Sequence, residues 1–121
     1  MRILVCGGRR FSRPDRLWQV LGELHQRTPF SVLIHGGAPG ADSLAGRWAR
    51  SQGVSEQVFV ADWQRYGRAA GPLRNQKMLE QGQPDLVVAF PGGPGTRNML
   101  QQAQQAGVAI QLAGNKPGFE R

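Results

Sequence analysis

Cysteine and histidine are nearly missing from this 121-residue chain, which has one Cys and two His. A lone cysteine, Cys6 in an apolar run, excludes an intrachain disulfide and predicts a buried core thiol in a reducing compartment. Cys6, His25 and His35 are too scattered to make a metal site, so none is expected. Long apolar runs are missing as well. The longest, Ile3 to Cys6 and Leu86 to Phe90, fall far short of the ~20 residues that span a bilayer, and no leader h-region is present. The expectation is a cytoplasmic protein without a membrane partner. Two nucleotide fingerprints are also missing. The first strand is not followed by G-x-G-x-x-G, and G-x-x-x-x-G-K-[ST] occurs nowhere, which argues against NAD-type dehydrogenases and P-loop NTPases.

Positive charge and glycine are plentiful. Lys and Arg number 15 against 8 Asp and Glu, giving a formal +7 that points to anionic partners: nucleotides, other phosphorylated small molecules or nucleic acid. Only two of the 15 cations are Lys, so thirteen are Arg, the side chain suited to bidentate phosphate contacts. The 17 Gly and 8 Pro sit at the ends of periodic segments, and no repeat or linker stands out.

The stretch from Asp85 to Met99 is the most informative. Leu86 to Phe90 is continuous and apolar, as in a strand buried on both faces of a parallel sheet, and Pro91 ends it. Gly92, Gly93 and Gly95 then let backbone amides approach a ligand, and Thr96 is placed to cap a helix whose dipole favours an anion. Two further strand exits repeat the pattern. Ile3 to Cys6 leads through Gly7, Gly8, Arg9, Arg10 and Phe11 to a helix capped by Ser12 or Asp15. Ser31 to His35 leads through Gly36, Gly37 and Gly40 to a helix opening at Asp42.

Apolar spacing at Leu17, Val20, Leu21 and Leu24, and at Leu44, Ala45, Trp48 and Ala49, makes core faces of both helices, with Trp18 and Trp48 on those stripes and His25 at the boundary. A third strand is expected at Gln57 to Ala61, followed by a long irregular connection from Asp62 to Gly71. A helix from Pro72 to about Glu80 comes next. The last helix carries Met99, Leu100, Ala103 and Ala106. It precedes a strand from Val108 to Leu112, so one domain over 1–112 and an unpacked tail over 113–121 are expected.

Five strands alternating with four helices specify an α/β Rossmann-like fold: a single domain whose open parallel five-stranded sheet, in the order 3-2-1-4-5, carries helices on both faces. Ligands bind such sheets outside the carboxyl ends of the strands, where the order reverses. Here that point lies between the first and fourth strands and unites Gly7, Gly8 and Arg9 with Gly92, Gly93, Gly95 and Thr96. Arg9, Arg68 and Arg74 are the cations expected nearest a phosphate.

Four segments together resemble the YspA-like, cpYpsA-related proteins of the SLOG group of Rossmann-like domains. They are Gly7 to Phe11, His35 to Asp42, Ala61 to Trp63 with Ala70 to Asn75, and Ala89 to Thr96. The resemblance covers nearly the whole chain and implies a nucleotide or nucleotide-derived ligand. No obligatory cofactor is expected, and the residues expected at the ligand are Gly7, Gly8, Arg9, Phe11, His35, Gly36, Gly37, Gly40, Asp42, Asp62, Arg74, Asn75, Pro91, Gly92, Gly93, Gly95 and Thr96. Arg10 stands where that family's first motif is associated with an acidic residue.

Two relatives in the group imply other activities. The cytokinin-activating phosphoribohydrolases, nucleoside 5'-monophosphate N-glycosidases, share a loop similar to Pro91 to Thr96 but continue P-G-G-x-G-T-x-x-E, where this chain has Met99. A thioether cannot stabilise an oxocarbenium-like state or activate water, which leaves Asp42 and Asp62 as the weak catalytic candidates. These relatives also make a homodimer the expectation. The DNA-processing protein of natural transformation carries an element similar to Arg74-Asn75 and binds single-stranded DNA, and Phe11, Trp63 and Tyr66 are the aromatic residues here suited to stacking on bases.

Overall fold

A computed structural model describes residues 1–114. Five parallel strands, β1 (Arg2–Cys6), β2 (Val32–His35), β3 (Ser55–Val58), β4 (Leu86–Ala89) and β5 (Ala109–Leu112), form one sheet in the order β3-β2-β1-β4-β5. The expected α/β architecture and strand order are therefore present. In register, Leu4 pairs with Ile34 on one side and Val87 on the other, so β1 is the central strand.

Alternation along the central strands feeds two cores. Ile3, Val5, Leu33, Val88 and Phe90 point to one face, under α1 (Pro14–Arg27) and α2 (Ala41–Ser51), where they pack with Leu17, Leu21, Trp48 and Phe11. Leu4, Cys6, Ile34, Val87 and Ala89 point to the other face. There they pack with Met78 of α4 (Ala70–Gly82) and with Met99 and Ala103 of α5 (Pro94–Gln105). A strand buried on both sides must be apolar at consecutive positions, and the short runs at 3–6 and 86–90 are the result.

Several boundaries differ from the sequence expectation. The connection after β3 is largely helical: α3 (Trp63–Tyr66) and a 3₁₀ turn (Gly67–Ala69) run into α4, which begins two residues before Pro72. Asp62 accepts from the Arg65 amide at 3.1 Å and caps α3, a local bond that apolar periodicity does not reveal. The third strand starts two and ends three residues earlier than expected, at an edge of the sheet that leaves Val58 and Val60 exposed. Neither Ser12 nor Asp15 caps α1, whose N-cap is Arg13 with Pro14 following; Asp15 pairs with the Arg13 guanidinium instead. Nor does Thr96 cap α5. Gly93 holds that position and Thr96 is buried in the first turn.

Ala113 is buried in the first core and donates its amide to Ala89, and Gly114 accepts from the buried Arg16. Packed chain thus runs at least two residues past the expected boundary at 112; the remainder of the expected tail, 115–121, lies outside the described residues. No helix among the described residues is long and apolar enough to cross a membrane.

Candidate functional site

Three loops meet at Gly8. Its amide donates to the Pro91 carbonyl at 2.8 Å, and its own carbonyl accepts from Phe11 at 3.2 Å and from Ala41, at the start of α2, at 3.1 Å. Such contact requires residues without side chains. A Cβ on Gly8 would stand 2.9 Å from the Pro91 oxygen, and one on Gly40, already at φ 80°, would overlap the Gly8 carbonyl. The glycines after β1, β2 and β4 thus first serve to bring three strand exits together.

Between the β1 and β4 exits they leave a crevice of about 740 Å³. One wall is Gly7, Gly8 and Arg9 with Phe11, whose buried ring lies 5.1 Å from that of Phe90. The opposite wall is Pro91, Gly92, Gly93, Gly95 and Thr96. No side chain caps α5, so the amides of its first turn open on this wall, where a helix dipole favours negative charge. Gly93 and Gly95 face open space, with no atom within 4 Å of an added Cβ.

Asp42, Arg74 and Asn75 form the floor. Asp42 is buried and accepts from the amides of Gly36 at 3.1 Å and Ala38 at 3.2 Å, stapling the loop after β2. Burial pushes its carboxyl above the ordinary range, against those amide bonds and the nearby cations. Arg74 donates to the Gly36 carbonyl at 2.7 Å and to Asn75 Oδ1 at 3.0 Å; burial lowers its pKa from the usual guanidinium value while Asp42 supports its charge. Asn75 passes the connection on, its Nδ2 donating to Gly95 O at 3.3 Å and Asn98 Oδ1 at 3.1 Å. The chain Asp42, Gly36, Arg74, Asn75, Gly95 therefore locks the β2 exit to the first turn of α5.

Five expected site residues are not on the crevice wall. His35 turns away to the edge of the sheet: Nδ1 accepts from the Gly37 amide at 3.0 Å, which leaves the proton on Nε2, 2.7 Å from Glu56 Oε2. Burial raises the Glu56 pKa, but hydrogen bonds from His35 and Arg50 outweigh it and hold the carboxylate below its ordinary range. Gly36 is covered by the Arg74 guanidinium, Gly37 borders Val58 and Val60, and Gly40 is spent on Gly8. Asp62 is exposed and occupied in capping α3. Arg68 is exposed in the 3₁₀ turn and is not on the crevice wall either.

Two cations and a thiol go the other way. Arg10 and Arg13 line the crevice beside Arg9 and Arg74, and the Arg-Arg-Phe-Ser-Arg run after Gly8 was the available signal for them. Arg16, which lacks any special sequence position, is buried and donates to Gly114 and Gln19. The Cys6 thiol reaches the crevice floor, where burial first and the Asp42 charge second push its pKa up to about 12. It is an inert thiol at neutral pH. Among the described residues no group of three or more His, Cys, Asp or Glu is placed to hold a metal ion.

Met99 is fully buried against Leu4, Cys6 and Met78, under the sheet and off the crevice wall. Position 99 is therefore a packing position in this chain. Asp42 is the one carboxylate on the described crevice wall.

The "Gene 61 protein" of Mycobacterium phage D29 is 40% identical over 124 residues, covering 96% of this chain and 98% of its own length. The sequence pattern of the YspA, cpYpsA-related SLOG family matches residues 1–66, which hold β1, β2 and the two loops that meet at Gly8. On these two matches the chain belongs to the YspA, cpYpsA-related SLOG family.

Proposed function

We propose that the protein binds a nucleotide or nucleotide-derived ligand in the crevice between the β1 and β4 exits, with a phosphate on the Gly92 to Thr96 turn. The uncapped first turn of α5 carries the reading, because it opens on a crevice lined by Arg9, Arg10, Arg13 and Arg74 against the single carboxylate of Asp42. A charge-assisted hydrogen bond contributes about 1.5–3 kcal/mol and a helix N-terminus about 0.3–1 kcal/mol, so one arginine and this turn support micromolar binding once a base is also contacted. Family membership is consistent with a nucleotide-related ligand.

The geometry favours binding over N-glycosidic cleavage. A hydrolase needs a carboxylate facing the sugar. Met99 is in the core, and Asp42 Oδ2 is already shared between two backbone amides. Single-strand binding has the +7 charge and the exposed Trp63 and Tyr66 in its favour, but charge alone gives only weak, salt-sensitive attachment, with Kd about 10⁻⁴ to 10⁻⁶ M.

The test is mass spectrometry of any small molecule released from the denatured purified protein, followed by incubation with nucleoside monophosphates. Bound nucleotide without release of free base and ribose 5-phosphate is the expected result. Gly93→Asp has room for its side chain, places a favourable N-cap residue on α5, and puts a carboxylate where the phosphate would sit. It should keep the fold and abolish binding. Steeply salt-dependent binding of single-stranded DNA, with no micromolar nucleotide binding, would overturn the proposal.

A further inference from the structure

Trp63 is out of place for its size. Trp48 and Phe90 are sealed in the core, whereas Trp63 keeps 48% of its surface exposed. It is nevertheless held firmly. The Asp62 cap fixes the first turn of α3, and the indole edge rests on Gly71 of α4, where a Cβ would stand 3.2 Å from Cη2. The Arg9 guanidinium, from the crevice wall, lies 5.7 Å from its ring centre. Tyr66, the neighbouring exposed aromatic, is covered at 5.1 Å by Arg65, which does not reach the crevice.

We infer that Trp63, which lies just beyond the crevice lining behind Arg9, is the stacking surface for the planar ring of the crevice ligand, and that Arg9 yields this surface when the ligand arrives. The inference rests on the nucleotide reading above. An indole face attracts either a cation or the face of a base, and a guanidinium displaced by a base finds its new partner in the ligand phosphate, which lies on the loop that Gly8 joins to Arg9's own. Arg9 thereby couples recognition of the ring to recognition of the anion. Trp63 selects ligands that carry a base, and the α5 turn accepts any phosphate.

Binding of ADP and of inorganic pyrophosphate, measured by calorimetry for the wild type, Trp63→Ala, Trp63→Phe and Gly93→Asp, separates the two parts. Trp63→Ala should weaken ADP about tenfold or more and leave pyrophosphate within about twofold, while Trp63→Phe keeps ADP within about threefold. ADP should quench tryptophan emission in the wild type, and Trp63→Phe should remove that quench while still binding. Unchanged ADP affinity in Trp63→Ala, or an equal loss for ADP and pyrophosphate, overturns the stacking role. So does a quench that survives in Trp63→Phe, the variant that carries the test if circular dichroism shows Trp63→Ala unfolded. If Gly93→Asp abolishes both ligands and Trp63→Ala affects neither, the stacking role fails and the phosphate turn stands. A wild type that binds neither ligand overturns both.

Discussion

Gly8 and Pro91 are joined backbone to backbone, amide to carbonyl, at 2.8 Å, so the two facing walls of the crevice are tied directly by main chain. A methyl at position 8 has nowhere to go between the Pro91 oxygen and Gly92 Cα, at 2.9 and 3.1 Å. Gly8→Ala should therefore lower stability by about 1–3 kcal/mol, the range for overpacking against an unyielding neighbour, and should weaken ligand binding as well. Urea unfolding checks the first part. Gly95→Ala, inside α5 with no atom within 4 Å of the added methyl, is the control: its stability should match or slightly exceed the wild type.

The sheet order and the convergence of three glycine-bearing exits were legible in the sequence, because short apolar runs at 3–6 and 86–90, each ended by glycine or proline and alternating with helices, fit strands buried on both faces of a parallel sheet. Helix starts were less legible. Thr96 reads as a cap and is instead the third residue of α5, since the N-cap position falls to Gly93, which has no side chain to signal it. The direction of a side chain was least legible. His35 and Asp42 are close in sequence to the same glycines, yet one faces the sheet edge and the other the crevice, decided by Glu56 on β3 and by the amides of Gly36 and Ala38. Such partners lie across the fold and leave no mark on local spacing.

Arg74 ties the β2 exit to the α5 turn, so its removal should be felt in both stability and binding. Arg74→Ala strips the Gly36 carbonyl of its donor and frees Asn75 Oδ1, at an expected cost of about 1–3 kcal/mol. Arg74→Lys keeps one donor for Gly36 and cannot serve Asn75 as well, so it should recover part of the stability and less of the binding. Thermal unfolding and calorimetric titration of the two variants distinguish a packing role, in which both recover together, from this tie.

Asp42 and Glu56 should give opposite pH signatures. Glu56 sits below its ordinary 4.5 in the folded protein, so its stabilisation is present above pH 4.5 and is lost as pH falls through the folded value. Asp42 sits above its ordinary 3.8, so its contribution is greatest below that pH and is lost as pH rises through the folded value. Urea midpoints from about pH 3 to 8 should show the wild type gaining on Glu56→Gln as pH rises, and Asp42→Asn gaining on the wild type over the same climb. Parallel curves for either pair would remove that carboxylate from the account.

Met99 decides whether the hydrolase pattern can be restored by a single change. If the residue faced the crevice, Met99→Glu would supply the missing carboxylate and nucleoside monophosphates would release free base. In this fold the side chain is fully buried in an apolar cluster with Leu4, Cys6 and Met78. A carboxylate forced into such a site is held neutral by a strongly raised pKa, which at pH 7 corresponds to about 4 kcal/mol or more of lost stability. Met99→Glu should therefore unfold far more readily than the wild type at pH 7, recover part of the difference near pH 4, where the acid is protonated in both states, and release no free base at either pH. Met99→Gln, neutral throughout, should show a pH-independent deficit. Base release by a well-folded Met99→Glu protein would place position 99 on the crevice after all and return the chain to the hydrolases.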